Sequence, residues 1–180
     1  MKNAAKPSKA QLQNARVMVI GDAMLDRYWF GAVDRISPEA PVPIVRVTHD
    51  EERLGGAANV AMNVAALGAQ ASLLTVLGND EAGQRLRELM DKAGIHAMTE
   101  LDAGLRTTVK LRVIGRSQQL IRLDFENQPQ GELLLRMLDD FVRALPRHDA
   151  MLFSDYGKGW PDAPAADDSA SAKVRQSRAG

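Results

Sequence analysis

Apolar positions along this chain fall into two rhythms: short unbroken runs, and stripes spaced three or four residues apart. Val17-Met18-Val19-Ile20 is an unbroken run after a polar lead, ending at Gly21-Asp22, and reads as a buried strand entering a turn. Residues 55–68, GGAANVAMNVAALG, place small and apolar side chains at helical spacing, with Gly68 where a helix C-terminal cap belongs. Ala71 to Leu77 is again strand-like. Asp80 then stands as the N-cap of a helix whose Leu86, Leu89, Met90 and Ala93 share one face and which ends at Gly94. A third helical stripe runs through Leu133, Leu134, Met137, Leu138, Phe141 and Val142, before another apolar strand from Ala150 to Phe153. Strand and helix in alternation predict βαβ units on a parallel sheet, an α/β fold.

Two segments break the alternation. Residues 27–50 are rich in aromatic, Val and Pro residues, and Pro38, Pro41 and Pro43 assign them to sheet edges or loops. In residues 107–125, Val109, Leu111 and Val113 alternate with Lys110 and Arg112, which predicts a hairpin with one wet face. Both segments are expected in a small sheet outside the main one, serving as a lid of the kind that closes over substrates. The organisation expected is thus a polar lead over 1–15, a folded unit over 16–159 and a tail over 160–180. The tail, WPDAPAADDSASAKVRQSRAG, carries no periodic apolar face and is expected to be disordered, because it cannot bury enough surface to offset its ordering entropy. A parallel strand at 150–153 would ordinarily lead into a crossover helix, and no such pattern follows.

Composition narrows the function classes. The 180 residues are 45% hydrophobic, and 23 basic side chains balance 23 acidic ones. Nucleic-acid binding through counterion release needs a basic excess, so no nucleic-acid partner is expected. Cysteine is absent, which removes disulfides and thiolate metal sites. His49, His96 and His148 have no ligand spacing, and no metal site is expected from them. No signal-peptide pattern and no apolar run of about 18 residues is present, so a cytoplasmic location with no membrane partner is the expectation.

Chemistry-bearing residues fall in four places. Asp22 and Asp26 follow the first strand, at the sheet edge where α/β proteins place ligands, and can accept hydrogen bonds from hydroxyls; turn-capping and solvated acids are the plainer reading. Gly55 and Gly56 open a helix, where free amides and close backbone approach suit hydroxyls or anions, and Asn59 adds a donor and an acceptor. A glycine pair alone is equally an ordinary cap, and it is not the dinucleotide pattern G-x-G-x-x-G. Lys110, Arg112, Arg116, Arg122 and Asp124 lie on the hairpin, either as its solvent side or as a cationic patch for a phosphate, with Arg35 and Arg53 able to join. Lys158, in Asp155-Tyr156-Gly157-Lys158-Gly159, follows the last strand, facing a phosphate or solvent.

Together these strings carry a resemblance. GGAAN, the Val-Ala after it, and Gly68 and Gly78 at their spacing resemble the first signature of the ribokinase-type (phosphofructokinase B) sugar kinases. GDAMLDRYWFG, RISPEAPVPIV, TTVKLRV, QQLIRLDFE and SDYGKG extend the likeness to the heptose 7-phosphate kinases, over Val17 to Gly159. The resemblance implies a ribokinase-like three-layer sheet with a β-lid that mediates homodimers. It implies transfer of a phosphoryl group from ATP, with Mg, to the anomeric hydroxyl of D-glycero-D-manno-heptose 7-phosphate, toward the lipopolysaccharide core. It also implies that Asp22, Asp26, Arg35, Gly55, Gly56, Asn59, Lys110, Arg112, Arg122 and Asp124 face the sugar phosphate. The family's later Gly-Ala-Gly-Asp, which supplies anion hole and base, does not occur. The expectation is therefore a fold truncated before its C-terminal half, with no catalytic residue of its own. Two function classes follow: a carbohydrate kinase needing its other half, or a non-catalytic sugar-phosphate-binding module.

Overall fold

A computed structural model describes residues 9–127 and 131–155. In chain order its elements are α1 (Lys9–Asn14), β1 (Arg16–Gly21), β2 (Ala23–Ile36), β3 (Pro43–Gly56), α2 (Ala57–Ala66), β4 (Gln70–Gly78) and α3 (Glu81–Lys92). There follow β5 (His96–Asp102), β6 (Val109–Gly115), β7 (Gln118–Phe125), α4 (Gly131–Ala144), a 3-10 turn (Leu145–Arg147) and β8 (Ala150–Ser154). The polar lead before residue 9, Lys158 and the tail from 160 lie outside the described residues.

The main sheet has the order β5-β4-β1-β8. Every pairing in it is parallel, as the alternation of strands and helices predicts. Successive side chains of β1 go to opposite faces: Val19 joins Leu73, Leu77, Leu86 and Met90 on the side of α2 and α3, while Met18 and Ile20 join Leu74 and Met137 beneath α4. The result is three layers, helix on sheet on helix. Asp80 caps α3 as its position predicts, its carboxylate accepting from the Gly83 amide at 2.8 Å. Gly68 and Gly94 follow α2 and α3 at φ values of 94° and 70°.

The two segments that broke the pattern come together in a second sheet of order β3-β2-β6-β7. It reaches further than residues 27–50 and 107–125 alone, because β2 starts at Ala23 and β3 runs on to Gly56. Pro43 opens edge strand β3, while Pro38 and Pro41 lie in the connection to it, so no proline interrupts a ladder. The β6–β7 turn falls on Arg116 and Ser117, both at positive φ. That left-handed pair matches the twist of a two-residue hairpin.

Two other expectations change. The α4 stripe is narrower than its sequence pattern: Met137 and Ala144 are buried and Phe141 packs beside them, but Leu138 and Val142 are exposed. Only one side of α4 meets the sheet. Strand β5 was not expected at all. It is a half-exposed edge strand, and its HAMTELD has neither an apolar run nor a clean alternation. Among the described residues no helix is long and apolar enough to cross a membrane.

At the N-terminal end of the sheet, Arg16 ties β1 to the start of β8. Its guanidinium donates to Asp149 Oδ1 at 2.9 Å and its backbone amide to Oδ2 at 2.9 Å. These hydrogen bonds, the guanidinium's first, hold the Asp149 carboxyl well below its ordinary 3.8, at about 2. A depressed carboxyl contributes stability that is complete above the unfolded value and is lost as pH falls through the folded one. Between pH 4 and 2, melting temperature is therefore expected to fall less steeply in Asp149→Asn than in the wild type. Parallel acid limbs would count against this pair.

Candidate functional site

The C-terminal edge of the main sheet meets the root of the second sheet, and the site lies there. Strand β1 ends at Gly21 and passes directly into Asp22, whose amide donates to Ser154 O of β8 at 3.2 Å. This is the point where strand order reverses, between β1 and β8, the usual ligand crevice of open α/β sheets. Asp22 O in turn accepts from the amide of Ala57, the first residue of α2, at 2.9 Å. The first acid of the site and the start of the glycine-opened helix are thus one unit.

Both glycines of that unit are required by close approach. Gly56 has φ 57° and ψ −133°, and a Cβ on it would lie 2.3 Å from Asp22 O. A Cβ on Gly55 would lie 2.7 Å from Asp26 Oδ2 and 2.8 Å from Met24 Cγ. The Asp26 carboxylate therefore overlies the backbone of Gly55, its neighbour two residues off in the β2–β3 register. Asn59, exposed on the first turn of α2, lines a cavity of about 620 Å³ with Asp26, Tyr28 and Arg53.

The β ladder places the remaining candidates. Asp26 pairs with Lys110 across β2–β6, Lys110 with Asp124 and Arg112 with Arg122 across β6–β7, so all five occupy one face. Arg112 Nη1 donates to Asp26 Oδ1 at 2.7 Å. Asp124 stands 3.7 Å from Lys110 Nζ and 2.9 Å from Arg122 Nε. The Asp26 and Arg112 side chains are each only 19% exposed, so this pair is partly desolvated and held more firmly than a surface ion pair. On this face Lys110, Arg112, Arg122 and Arg53 outnumber Asp26, Asp124 and Glu51, leaving an excess of donors suited to an anion.

Tyr28 is the residue that sequence reasoning missed. It lies two positions beyond Asp26 on the same face, and the guanidiniums of Arg53 and Arg112 stand 4.7 and 5.1 Å from its ring centroid. The period-two rule applied outward from Asp26 would have found it. Arg53 itself joins the face as anticipated. Arg35 does not: it pairs with Ile44 near the far end of β2, nine residues from Asp26, which is roughly 30 Å along an extended strand. Arg116 points away too, donating to Val33 O at the tip of the sheet. Lys158 falls outside the described residues.

The second sheet is pinned to the main body at its root. Ala23 N donates to buried Thr75 Oγ1 at 3.2 Å, and Thr107 N donates to Asp80 Oδ2 at 2.9 Å. Burial pushes the Asp80 carboxyl up, but hydrogen bonds from Gly83 and Thr107 outweigh it and leave the carboxyl below its ordinary value. On the opposite face of the same two strands, at the edge of that cavity, Glu52 of β3 accepts from Arg27 of β2 and Arg85 of α3.

This arrangement can bind a polyhydroxylated anion: acids and amides at the strand end for hydroxyls, and a cationic sheet face beside them. The chain is 54% identical over 149 residues to D-beta-D-heptose 7-phosphate kinase of Bordetella bronchiseptica, covering 83% of this chain and 48% of that protein. It is 53% identical over 151 residues to the bifunctional protein HldE of Histophilus somni, covering 83% of this chain and 32% of that one. It therefore spans about half the length of the first relative and a third of the second. A carbohydrate kinase from Agrobacterium tumefaciens shares its fold, with a TM-score of 0.61 at 22% identity over 77% of this chain and 45% of that one. Residues 14–135, more than half of the sequence and including Asp22 through Asp124 of the cleft, match the model of the pfkB family of carbohydrate kinases, and the chain belongs to that family.

Proposed function

We propose that this chain is the sugar-binding half of a carbohydrate kinase whose substrate is D-glycero-D-manno-heptose 7-phosphate, phosphorylated at the anomeric hydroxyl by ATP. The observation that carries this reading is the meeting of three sequence motifs, around Asp22/Asp26, Gly55-Gly56/Asn59 and Lys110/Arg112, in one cleft of a chain 54% identical to a heptose 7-phosphate kinase. In this reading Asp22, Asp26 and Asn59 take the sugar hydroxyls, the backbone at Gly55 and Gly56 lets the sugar approach, and Lys110, Arg112 and Arg122 hold the 7-phosphate, with Asp124 orienting the cations. Product use in lipopolysaccharide-core synthesis and a cytoplasmic setting belong to the same reading.

Transfer of the phosphoryl group needs a base for the attacking hydroxyl and donors for the developing charge. The string Gly-Ala-Gly-Asp does not occur in the sequence, and the acids of the cleft face are engaged: Asp26 with Arg112, Asp124 with Lys110 and Arg122. This favours binding over chemistry for these residues, with base and nucleotide site supplied by further sequence; a non-catalytic sugar-phosphate-binding module is the reading that the same observation supports second. Among the described residues no group of three or more His, Cys, Asp or Glu could hold a metal ion. Exposed Ile36, Val47, Leu120 and Ile121 on the second sheet, with Val42 in the β2–β3 connection, support association of two copies through it.

Calorimetric titration with heptose 7-phosphate tests the assignment. A hydrogen bond to a substrate hydroxyl contributes about 1 kcal/mol net, so Asn59→Ala is expected to weaken binding about fivefold. Asp26→Asn also leaves Arg112 without its carboxylate partner and is expected to weaken binding about tenfold or more. Affinities equal to wild type in both variants would remove this cleft from consideration.

A further inference from the structure

We infer that Glu52, which lines the edge of the same cavity but spends its hydrogen bonds on Arg27 and Arg85, is a positioning residue that sets the angle of the second sheet over the cleft by bridging Arg27 of the sheet to Arg85 of α3. The inference rests on the functional reading above for its substrate, but not for its geometry. Glu52 Oε1 accepts from Arg27 Nε at 2.8 Å, and its Oε2 from Arg85 Nε. Arg27 Nη2 continues to Glu81 at 3.0 Å, and Arg85 Nη1 to Glu88 at 2.9 Å. The Glu52 side chain is only 13% exposed, so this is a largely desolvated carboxylate whose charge is met by two guanidiniums from different layers.

Its place in the ladder gives it leverage. Arg27 pairs with Glu52 and Asp26 with Arg53, so the bridge and the candidate site occupy successive register positions on opposite faces of the same two strands. A shift of Glu52 therefore moves Asp26 and Arg53 with it. The other ties between the sheets, Ala23 to Thr75, Ala57 to Asp22 and Thr107 to Asp80, lie at the root and act as a pivot. Glu52 is four residues out from Gly56, roughly 13 Å along the strand, where its bond to Arg85, beside the Arg27–Glu81 pair, fixes an angle that the root leaves free. Helix α3 is a firm base for that bond, because Leu86 and Met90 are wholly buried in the main core. Burial pushes the Glu52 carboxyl up, but the two arginines outweigh this and hold it below its ordinary value, so it stays charged near neutrality.

The test compares wild type with Glu52→Gln and with Arg85→Met, which removes only the α3 arm of the bridge and spares the buried carboxylate. Amide hydrogen exchange is followed in β2, β3 and β6 against β1 and β4, beside calorimetry with heptose 7-phosphate. Faster exchange confined to the second sheet is expected, with the dissociation constant rising about tenfold in Arg85→Met and largely recovered in Arg85→Lys. Exchange that rises equally in both sheets, or sheet-confined loosening with unchanged affinity, would make the bridge merely structural and overturn the inference. Should the wild type bind no heptose 7-phosphate, the substrate assignment fails by itself, and the exchange pattern alone decides whether Glu52 sets the angle.

Discussion

Given heptose 7-phosphate and MgATP, the isolated chain is expected to release no ADP above the uncatalysed rate. Phosphoryl transfer depends on positioning the acceptor in line and stabilising charge on the transferred group, and there is little else for a protein to supply. A general base and an anion hole each contribute factors of about 10² or more. In the proposed reading the cleft holds the acceptor side only: its Asp26 and Asp124 are tied to arginine and lysine, and the Gly-Ala-Gly-Asp string is not in the sequence. A coupled ADP assay on purified chain measures this directly. Turnover approaching the common enzyme rate of about 10 per second would contradict the assignment of these residues to binding alone. It would also make Asp155, at the C-terminal end of β8 beside the crevice, the first acid to substitute.

Gly56→Ala is expected to cost about 3 kcal/mol of folding stability. Two causes act together. The backbone there, at φ 57° and ψ −133°, is a conformation that side-chain-bearing residues rarely adopt. The added Cβ would also lie 2.3 Å from Asp22 O, a backbone atom that cannot move without breaking its bond to Ala57 N. Gly55→Ala should behave differently. Its Cβ meets the Asp26 carboxylate and Met24 Cγ, side-chain atoms rather than backbone, at a residue with no positive φ, so stability falls less while the displaced carboxylate weakens sugar binding. Denaturant midpoints beside titrations separate the two. A Gly56→Ala protein within about 0.5 kcal/mol of wild type would show that the Asp22–Ala57 junction is not the rigid unit described.

The regular part of this fold was legible because its signals are local. Asp80 as a cap, Gly68 and Gly94 after their helices, and the unbroken runs of β1 and β4 each rest on a few adjacent residues. The alternation of Val109, Leu111 and Val113 with Lys110 and Arg112 likewise gave the buried and polar faces of β6 correctly. Strand β5 was not legible, since a half-exposed edge strand needs no sharp pattern. The exposure of Leu138 and Val142 could not be read either, because an apolar stripe shows which residues can be buried and not how much of the helix meets a partner. At the site, Asp26 and Lys110 could be nominated separately, but their adjacency depends on the parallel β2–β6 register between residues more than eighty positions apart. The Glu52 bridge was invisible for the same reason: its partners lie 25 and 33 residues away, on different layers. Arg35 shows the converse, a motif residue that the length of β2 carries far from the cleft.

The central claim is that one cleft, built from Asp22, Asp26, Asn59 and the Lys110/Arg112 face, recognises a sugar phosphate. Its most direct test is a calorimetric titration of the wild-type chain with heptose 7-phosphate, alongside the same sugar without its phosphate. The account predicts saturable binding at one site per chain, weakened at least tenfold when the phosphate is missing, as loss of a charge-assisted arginine contact requires. No saturable heat with heptose 7-phosphate, or equal affinity for the two sugars, would contradict it.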